Sequence, residues 1–198
     1  MSEITLFLTS LDFKWSVIES FAVFFSILYV ILALKENIWC WAAGIISASL
    51  YIYICFLENL YLQTGLQAFY FFMAFYGYYN WNKQKQSLKI SEWSVWKHLL
   101  FITIGVILTF LISFCFATFT NAKMPVIDSL TAIFSMFATY MVAKKILENW
   151  LYWIIIDLVL AYLFFSRELY LTSLLFIAYA IIAIIGYFSW IKKMKQNA

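Results

Sequence analysis

The sequence predicts an all-α integral membrane protein of seven transmembrane helices, arranged as two parallel three-helix repeats joined by a linker helix (3+1+3). Three observations predict it. Hydrophobic residues make up 66% of the 198-residue chain and charged residues 12%, against roughly 45–50% and about 25% in a soluble domain. Seven apolar stretches of about membrane-spanning length follow one another with short breaks. Short strings of residues recur, mostly 109 positions apart. A body of this size has too little interior to hide so much apolar surface from water. Disorder needs the opposite composition. A single Pro and five Gly exclude collagen-like and low-complexity chains.

The elements follow from the charge-free runs, because a span needs roughly 20 apolar residues. Runs 37–57, 59–82, 99–122 and 169–191 are each long enough. The stretch 20–34 spans once it extends back to Trp15, and 129–143 once it extends back to Pro125, a residue suited to a first helical turn. The stretch 149–166 is interrupted once, by Asp157. Helices are therefore expected at about 15–34, 38–57, 60–81, 98–119, 125–144, 149–166 and 169–191. Residues 1–14 are expected as an extracytoplasmic tail. They carry Glu3 and Asp12 beside one Lys, unlike a signal peptide, and no small-residue cleavage site follows. The first repeat then covers 15–81, a cytoplasmic loop with the linker helix 82–124, the second repeat 125–190 and a cytoplasmic tail 191–198.

Lys and Arg set the orientation. Lys14, Lys123 and Arg167 fall on the side of the N-terminus, while the other ten basic residues, including Lys35, Lys83, Lys97, Lys145 and Lys193, fall on the opposite side. The positive-inside rule places those ten in the cytoplasm, with the N-terminus outside and the C-terminus inside. The net charge of +3 says nothing of nucleic acid. Cys40, Cys55 and Cys115 sit singly in apolar runs and read as free core thiols. One histidine, His98, excludes a His-based metal site or triad, and its place beside Lys97 at a helix start reads as interfacial.

The repeat is carried by five ordered matches. Val17–Ser20 recurs as Val126–Ser129 with Glu19 replaced by Asp128, and Phe25-Ser26 recurs as Phe134-Ser135. Glu36-Asn37 followed by Trp41 recurs as Glu148-Asn149 followed by Trp153, three residues out of step. Leu60-Tyr61-Leu62 recurs as Leu169-Tyr170-Leu171, and Gly77-Tyr78 with Trp81 as Gly186-Tyr187 with Trp190. Three helices plus one shift the second repeat by four crossings, so both repeats run in the same direction. Two such bundles facing each other enclose a site near the bilayer midplane and give alternating access by rocking.

Asp157 is the single acid in the middle of an expected span, where charge is costly and normally faces a cavity or a partner. Trp150 and Trp153 precede it at spacings that put all three on one helix face. Two indoles and a carboxylate suit a flat, positively charged aromatic ligand, through stacking and cation–π attraction. Gln67 and Tyr70 share a helix face and point to a cavity role. Asn37 and Asn149 start helices, where N-capping competes with ligand binding. Asp128 and Glu19 sit in first helical turns, where an acid also complements the helix dipole. Trp41 joins the candidates through its repeat position. Trp81, Trp93, Trp96 and Trp190 read as interfacial belt residues. No phosphate-binding loop, His cluster or nucleophile–base pair points to an enzyme, and no cofactor or metal site is expected. A light sensor would need a mid-span Lys, which the chain lacks.

Glu148–Trp153 (Glu-Asn-Trp-x-x-Trp), Pro125–Ser129, and Leu-Tyr-Leu leading to Gly-Tyr-x-x-Trp at 169–190 resemble the PnuC family of bacterial vitamin transporters, over about Trp15 to Trp190. The resemblance implies a SWEET-like fold, a trimer in the inner membrane and facilitated diffusion, with net uptake by metabolic trapping. It implies that Trp150 and Trp153 stack on the vitamin. Its nicotinamide riboside members carry Asn where this chain has Asp157, which favours a cation and moves the expectation toward thiamine. Nicotinamide riboside and thiamine are both cations and are held roughly even. The alternatives are riboflavin, which is neutral, and a sugar-type carrier of the same architecture, for which Gln67, Ser47 and Asp157 offer few polar groups.

Overall fold

The computed structural model describes residues 3–58, 60–82, 89–119, 124–166 and 170–196, with side chains described from Val17 onward, 119 and 171 excepted. Lys83, Lys85, Lys123 and Arg167 of the charge count, the start of the charge-free run at Asn59, the expected helix start Leu169, and the side chains of Lys14 and Trp15 lie outside the described residues. Among the described residues there are seven helices: α1 (Glu3–Leu34), α2 (Cys40–Leu57), α3 (Tyr61–Asn82), α4 (Val95–Phe119), α5 (Pro125–Ala143), α6 (Asn149–Ser166) and α7 (Tyr170–Gln196).

Two ends differ from expectation. α1 begins at Glu3 rather than near Trp15, so the expected tail is helix. Residues 3–14 hold neither Gly nor Pro, and nothing in them stops a helix once it propagates. α7 continues past Ile191 to Gln196. Lys193 and Lys195 fall in its last turn, where cations offset the partial negative charge of the helix end. Pro125 occupies the start of α5 as expected. Among the described residues, six helices are long and apolar enough to cross a membrane. α3 is about 33 Å long at 1.5 Å per residue, and Gln63, Gln67 and Asn80 make it the polar one.

The helices form a ring. α2 packs against α1 and α3, α6 packs against α5 and α7, and the halves meet along α3–α5 and α1–α7. α4 packs on the outside of α5. Apolar residues cover the outer surface, including Phe72, Phe110, Phe114, Tyr162 and Phe188. That surface suits hydrocarbon rather than water.

Corresponding contacts in the two halves lie at a constant spacing of 109. Trp41 rests on Gly77 and meets Trp81 edge-on at 5.3 Å; Trp150 rests on Gly186 and meets Trp190 edge-on at 5.4 Å. Trp41 therefore corresponds to Trp150, not to Trp153, and the expected three-residue slip is absent. The Glu-Asn strings at 36 and 148 match in composition and occupy different places. α1 and α5 also end alike. The N–H of Asn37 bonds the Leu32 carbonyl at 2.9 Å, and that of Ile146 the Met141 carbonyl at 2.9 Å. Glu36 and Lys145 precede them with φ of 56° and 52°. This is the helix stop usually made by Gly, held here by residues whose side chains cost about 1–2 kcal/mol each in that conformation.

The lysine-rich end of the ring carries the main core cluster, with Trp41, Trp81, Trp150, Trp190, Ala33 and Val142. Residues 89–94 fasten to it. Ser91 pairs with Ile146 through N–H···O bonds to the Lys145 carbonyl and from the Leu147 N–H, at 3.1 and 2.8 Å. The Trp93 N–H donates to the Glu148 carboxylate at 3.2 Å. His98 lies 3.1 Å from the Tyr152 hydroxyl and 3.6 Å from Glu148, a half-buried place at this end.

The glycine seats predict a graded result. A Cβ at Gly186 would come within 2.7 Å of the Trp150 ring and one at Gly77 would overlap the Trp41 ring, while one at Gly65 meets nothing within 4 Å. Gly77→Ala and Gly186→Ala should each destabilise by about 1–3 kcal/mol. Gly65→Ala should be neutral or stabilise by up to about 1 kcal/mol through helix propensity. Thermal unfolding in detergent checks the order.

Candidate functional site

The ring encloses one large cavity of about 620 Å³, lined from α1, α2, α3, α5, α6 and α7. Nearly all of its lining falls into pairs 109 apart. Ser26 pairs with Ser135, Tyr70 with Tyr179, Trp41 with Trp150 and Ala74 with Ala183. The cavity is thus lined by like positions from both halves, and its chemistry depends on where mates differ. Gly44 faces it from α2 where α6 presents Trp153, and Ala48 where α6 presents Asp157. The first half supplies space where the second supplies a ring and a carboxylate.

Of the residues expected from sequence, Trp150, Trp153, Asp157, Gln67, Tyr70, Trp41, Asp128 and Glu19 all line this cavity. The one-face spacing of Trp150, Trp153 and Asp157 on α6 holds. Their environments differ. Trp150 is 2% exposed, pressed between Gly186 and Trp190, so its ring serves as wall and floor. Trp153 is half-buried and presents the more open ring. Asp157 is 4% exposed. The indole N–H groups of Trp41 and Trp150, themselves mates, have no acceptor among the described residues.

Asn37 and Asn149 lie outside the cavity lining. The Asn37 carboxamide accepts the Trp39 N–H at 3.0 Å on the exposed turn after α1. Asn149 is fully buried, and its amide donates to the Ile146 carbonyl at 2.6 Å. Neither makes the expected cap: the N-cap position of α2 is Trp39, without a side-chain bond, and the Asn149 Oδ1, the atom a cap would use, has no partner among the described residues. Their supposed equivalence came from the slipped register; the mate of Asn149 is Cys40. Glu19 lies in the middle of α1, because that helix starts twelve residues earlier than expected, so no helix dipole accounts for it. Asp128 does sit in the first turn of α5.

Sequence reasoning missed four hydroxyl-bearing residues. The Ser26 and Tyr179 hydroxyls are 2.6 Å apart, joining α1 to α7. The Tyr70 hydroxyl faces the Ser135 and Thr139 side chains where α3 packs on α5. Ser26 with Tyr179 and Ser135 with Tyr70 are mates, and a constant spacing of 109 carried from Tyr70 finds Tyr179. Three carboxylates line the cavity, and no Lys, Arg or His does among the described residues.

A ring of long apolar helices around a central cavity, mostly apolar but holding three carboxylates, is the architecture of a membrane transporter. Residues 16–192 match the family described as Nicotinamide mononucleotide transporter, and the chain belongs to that family. It is 28% identical to the Nicotinamide riboside transporter PnuC of Escherichia coli, over 94% of this chain and 89% of that protein. It is 25% identical to the protein of that name from Neisseria mucosa, over 91% and 74%. It is 22% identical to the Riboflavin/roseoflavin transporter RibM of Streptomyces davaonensis, over 84% and 81%. Its fold is that of the crystal structure of the Vitamin B3 transporter PnuC, with a TM-score of 0.77, 24% identity, and coverage of 98% of this chain and 88% of that one.

The unequal settings of the two indoles predict unequal costs. Trp150→Ala should lose about 3–5 kcal/mol of stability, as for a buried Trp in a tight core. Trp153→Ala should lose clearly less, and thermal unfolding of the two variants compares them.

Proposed function

We propose that this chain is a uniporter for a small cationic aromatic B vitamin or precursor, nicotinamide riboside or thiamine. The observation that carries the proposal is the cavity charge: three carboxylates and no basic side chain among the described lining residues, with Asp157 one helical turn from the open ring of Trp153. In a low-dielectric chamber an uncompensated carboxylate is costly, and a bound cation offsets that cost. The neighbouring ring adds about 0.5–2 kcal/mol of cation–π attraction when water is excluded. Gln63 and Gln67, on the α3 wall, supply donors and acceptors for the polar remainder of the ligand. Riboflavin is the second reading, favoured by the similarity to the riboflavin transporter and lacking a charge for Asp157 to meet.

The two triples α1–α3 and α5–α7 are taken as parallel repeats about an axis along the membrane normal, in a SWEET-like 3+1+3 order with α4 as linker. The constant spacing of 109 supports this. The ten-to-three split of basic residues supports an inner-membrane topology with the N-terminus outside. A trimer follows the family resemblance. The proposed cycle is diffusion without a catalytic step, made net by trapping in the cytoplasm. A monovalent cation also gains about 2.3 kcal/mol per 100 mV of membrane potential, roughly a fifty-fold accumulation without a coupled ion.

Tryptophan fluorescence of the purified protein, titrated with thiamine and with nicotinamide riboside, tests the proposal on wild type and Asp157→Asn. Saturable quenching by either cation supports it. Thiamine quenching that weakens at least about tenfold in the Asn variant identifies thiamine, with the carboxylate selecting it; neutralising a carboxylate beside a bound cation in a dry site costs more than about 1.4 kcal/mol. Nicotinamide riboside quenching that survives the substitution identifies that vitamin and makes Asp157 structural. Quenching by neither overturns the site. In vesicles, uptake should rise with an inside-negative potential and be indifferent to a pH gradient; a pH-driven rate would instead show proton exchange at Asp157.

A further inference from the structure

We propose that Glu36 and Lys145, tied in by Lys193, are the cytoplasmic gate of this carrier, closed in this structure and required to part for the ligand to leave. The assignment rests on the uniporter reading and its orientation. Lys145 Nζ lies 2.7 Å from Glu36 Oε2, and Lys193 Nζ lies 3.1 Å from Glu36 Oε1. Glu36 and Lys145 are mates at the spacing of 109. Two equivalent residues of a two-fold arrangement can touch each other only where the axis passes between them. The pair therefore sits on the two-fold line, at the seam between the halves. Ala33 and Val142, three residues before each, line the cavity, so the pair lies directly beyond its floor.

The backbone gives these positions no reason to be charged. Both adopt a left-handed conformation at a helix stop, with φ of 56° and 52°, where Gly is the comfortable residue. Their side chains are kept for what they meet. Lys145 is 7% exposed, and its ammonium also lies 4.7 Å over the Trp81 ring. Further bonds cross between halves at the same level. The Trp190 indole N–H donates toward the Ala33 and Leu34 carbonyls at 3.3 and 3.2 Å. The Asn80 amide donates to the Ala143 carbonyl at 2.7 Å. Leu34 and Ala143 are mates, so the ends of α1 and α5 are each held by the third helix of the other half.

The two ends of the cavity carry opposite charge logic. At the lysine-rich end the mates differ in sign and attract. At the other end the mates Glu19 and Asp128 share a sign, and like charges across an axis resist closure. An ion pair suits a gate because its hold depends on exclusion of water: once the halves separate slightly and water enters, the attraction falls steeply.

Cys40 supplies the test. It is fully buried beside Trp41 in the cluster beneath the floor. With Cys55 and Cys115 replaced by Ser, its labelling by a charged thiol reagent is timed in inside-out vesicles, which expose the cytoplasmic face. Glu36→Gln and Lys145→Gln should each label at least about tenfold faster than this parent, since removing one partner strands the other charge. The exchange E36K/K145E, made with Lys193→Gln so that no ammonium crowds the new Lys, should return the rate to that of Lys193→Gln by itself. A smaller rise in the single variants overturns the gate, and so does an exchange that labels as fast as they do. General unfolding cannot imitate this pattern, because a second charge change must reverse the first. Vitamin quenching on the same preparations separates the readings: unchanged labelling with intact quenching removes the gate and leaves the carrier, while raised and reversible labelling without quenching keeps the gate and removes the ligand.

Discussion

Two indoles seated on two glycines hold the floor of this molecule. Trp41 on Gly77 and Trp150 on Gly186 let α2 approach α3, and α6 approach α7, closely enough for each ring to close against a second Trp at about 5 Å. In a bilayer, apolar surface gains nothing by turning inward, because lipid is as apolar as the core. Association must come from close packing and from polar groups that find partners inside. The Trp–Gly seats supply the packing, made twice, and the lining above them then has a fixed base.

Polar groups follow the same constraint. Each half is joined to the other by the Ser26–Tyr179 hydroxyl bond, and lower down by donors to the final carbonyls of α1 and α5. These contacts satisfy groups that hydrocarbon cannot. They also make the boundary between halves the place where polar bonds are concentrated. Polar bonds exchange partners with water as a boundary opens, whereas tight apolar packing within each half does not.

Near-symmetry makes the chamber and broken symmetry gives it two unlike walls. Like residues from both halves give the cavity its shape. Trp153 opposite Gly44 and Asp157 opposite Ala48 give it one aromatic, acidic wall and one roomy wall. A duplicated bundle that kept both copies identical would have either two rings crowding the same space or none.

Much was legible without coordinates. The number and order of the helices and the acid and indoles on one face of α6 are local or periodic facts. A carbon-rich run must leave water, and a spacing of three or four residues must share a helix face. The start of α1 and the true register of the repeat were not. Residues 3–14 lack a clear signal because an amphiphilic stretch without Gly or Pro continues a helix as readily as it ends one. The slip around Glu148 looked real because Glu-Asn-x-x-x-Trp matches itself by composition. Only the tertiary structure could decide between the two registers, since what identifies a mate is the glycine beneath its ring rather than the letters beside it. For the same reason only the fold could place Asn37 and Asn149 outside the cavity, and bring Glu36 to Lys145 from 109 residues away. Chain sequence dictates which groups cannot stay in lipid; packing dictates which other group each of them meets.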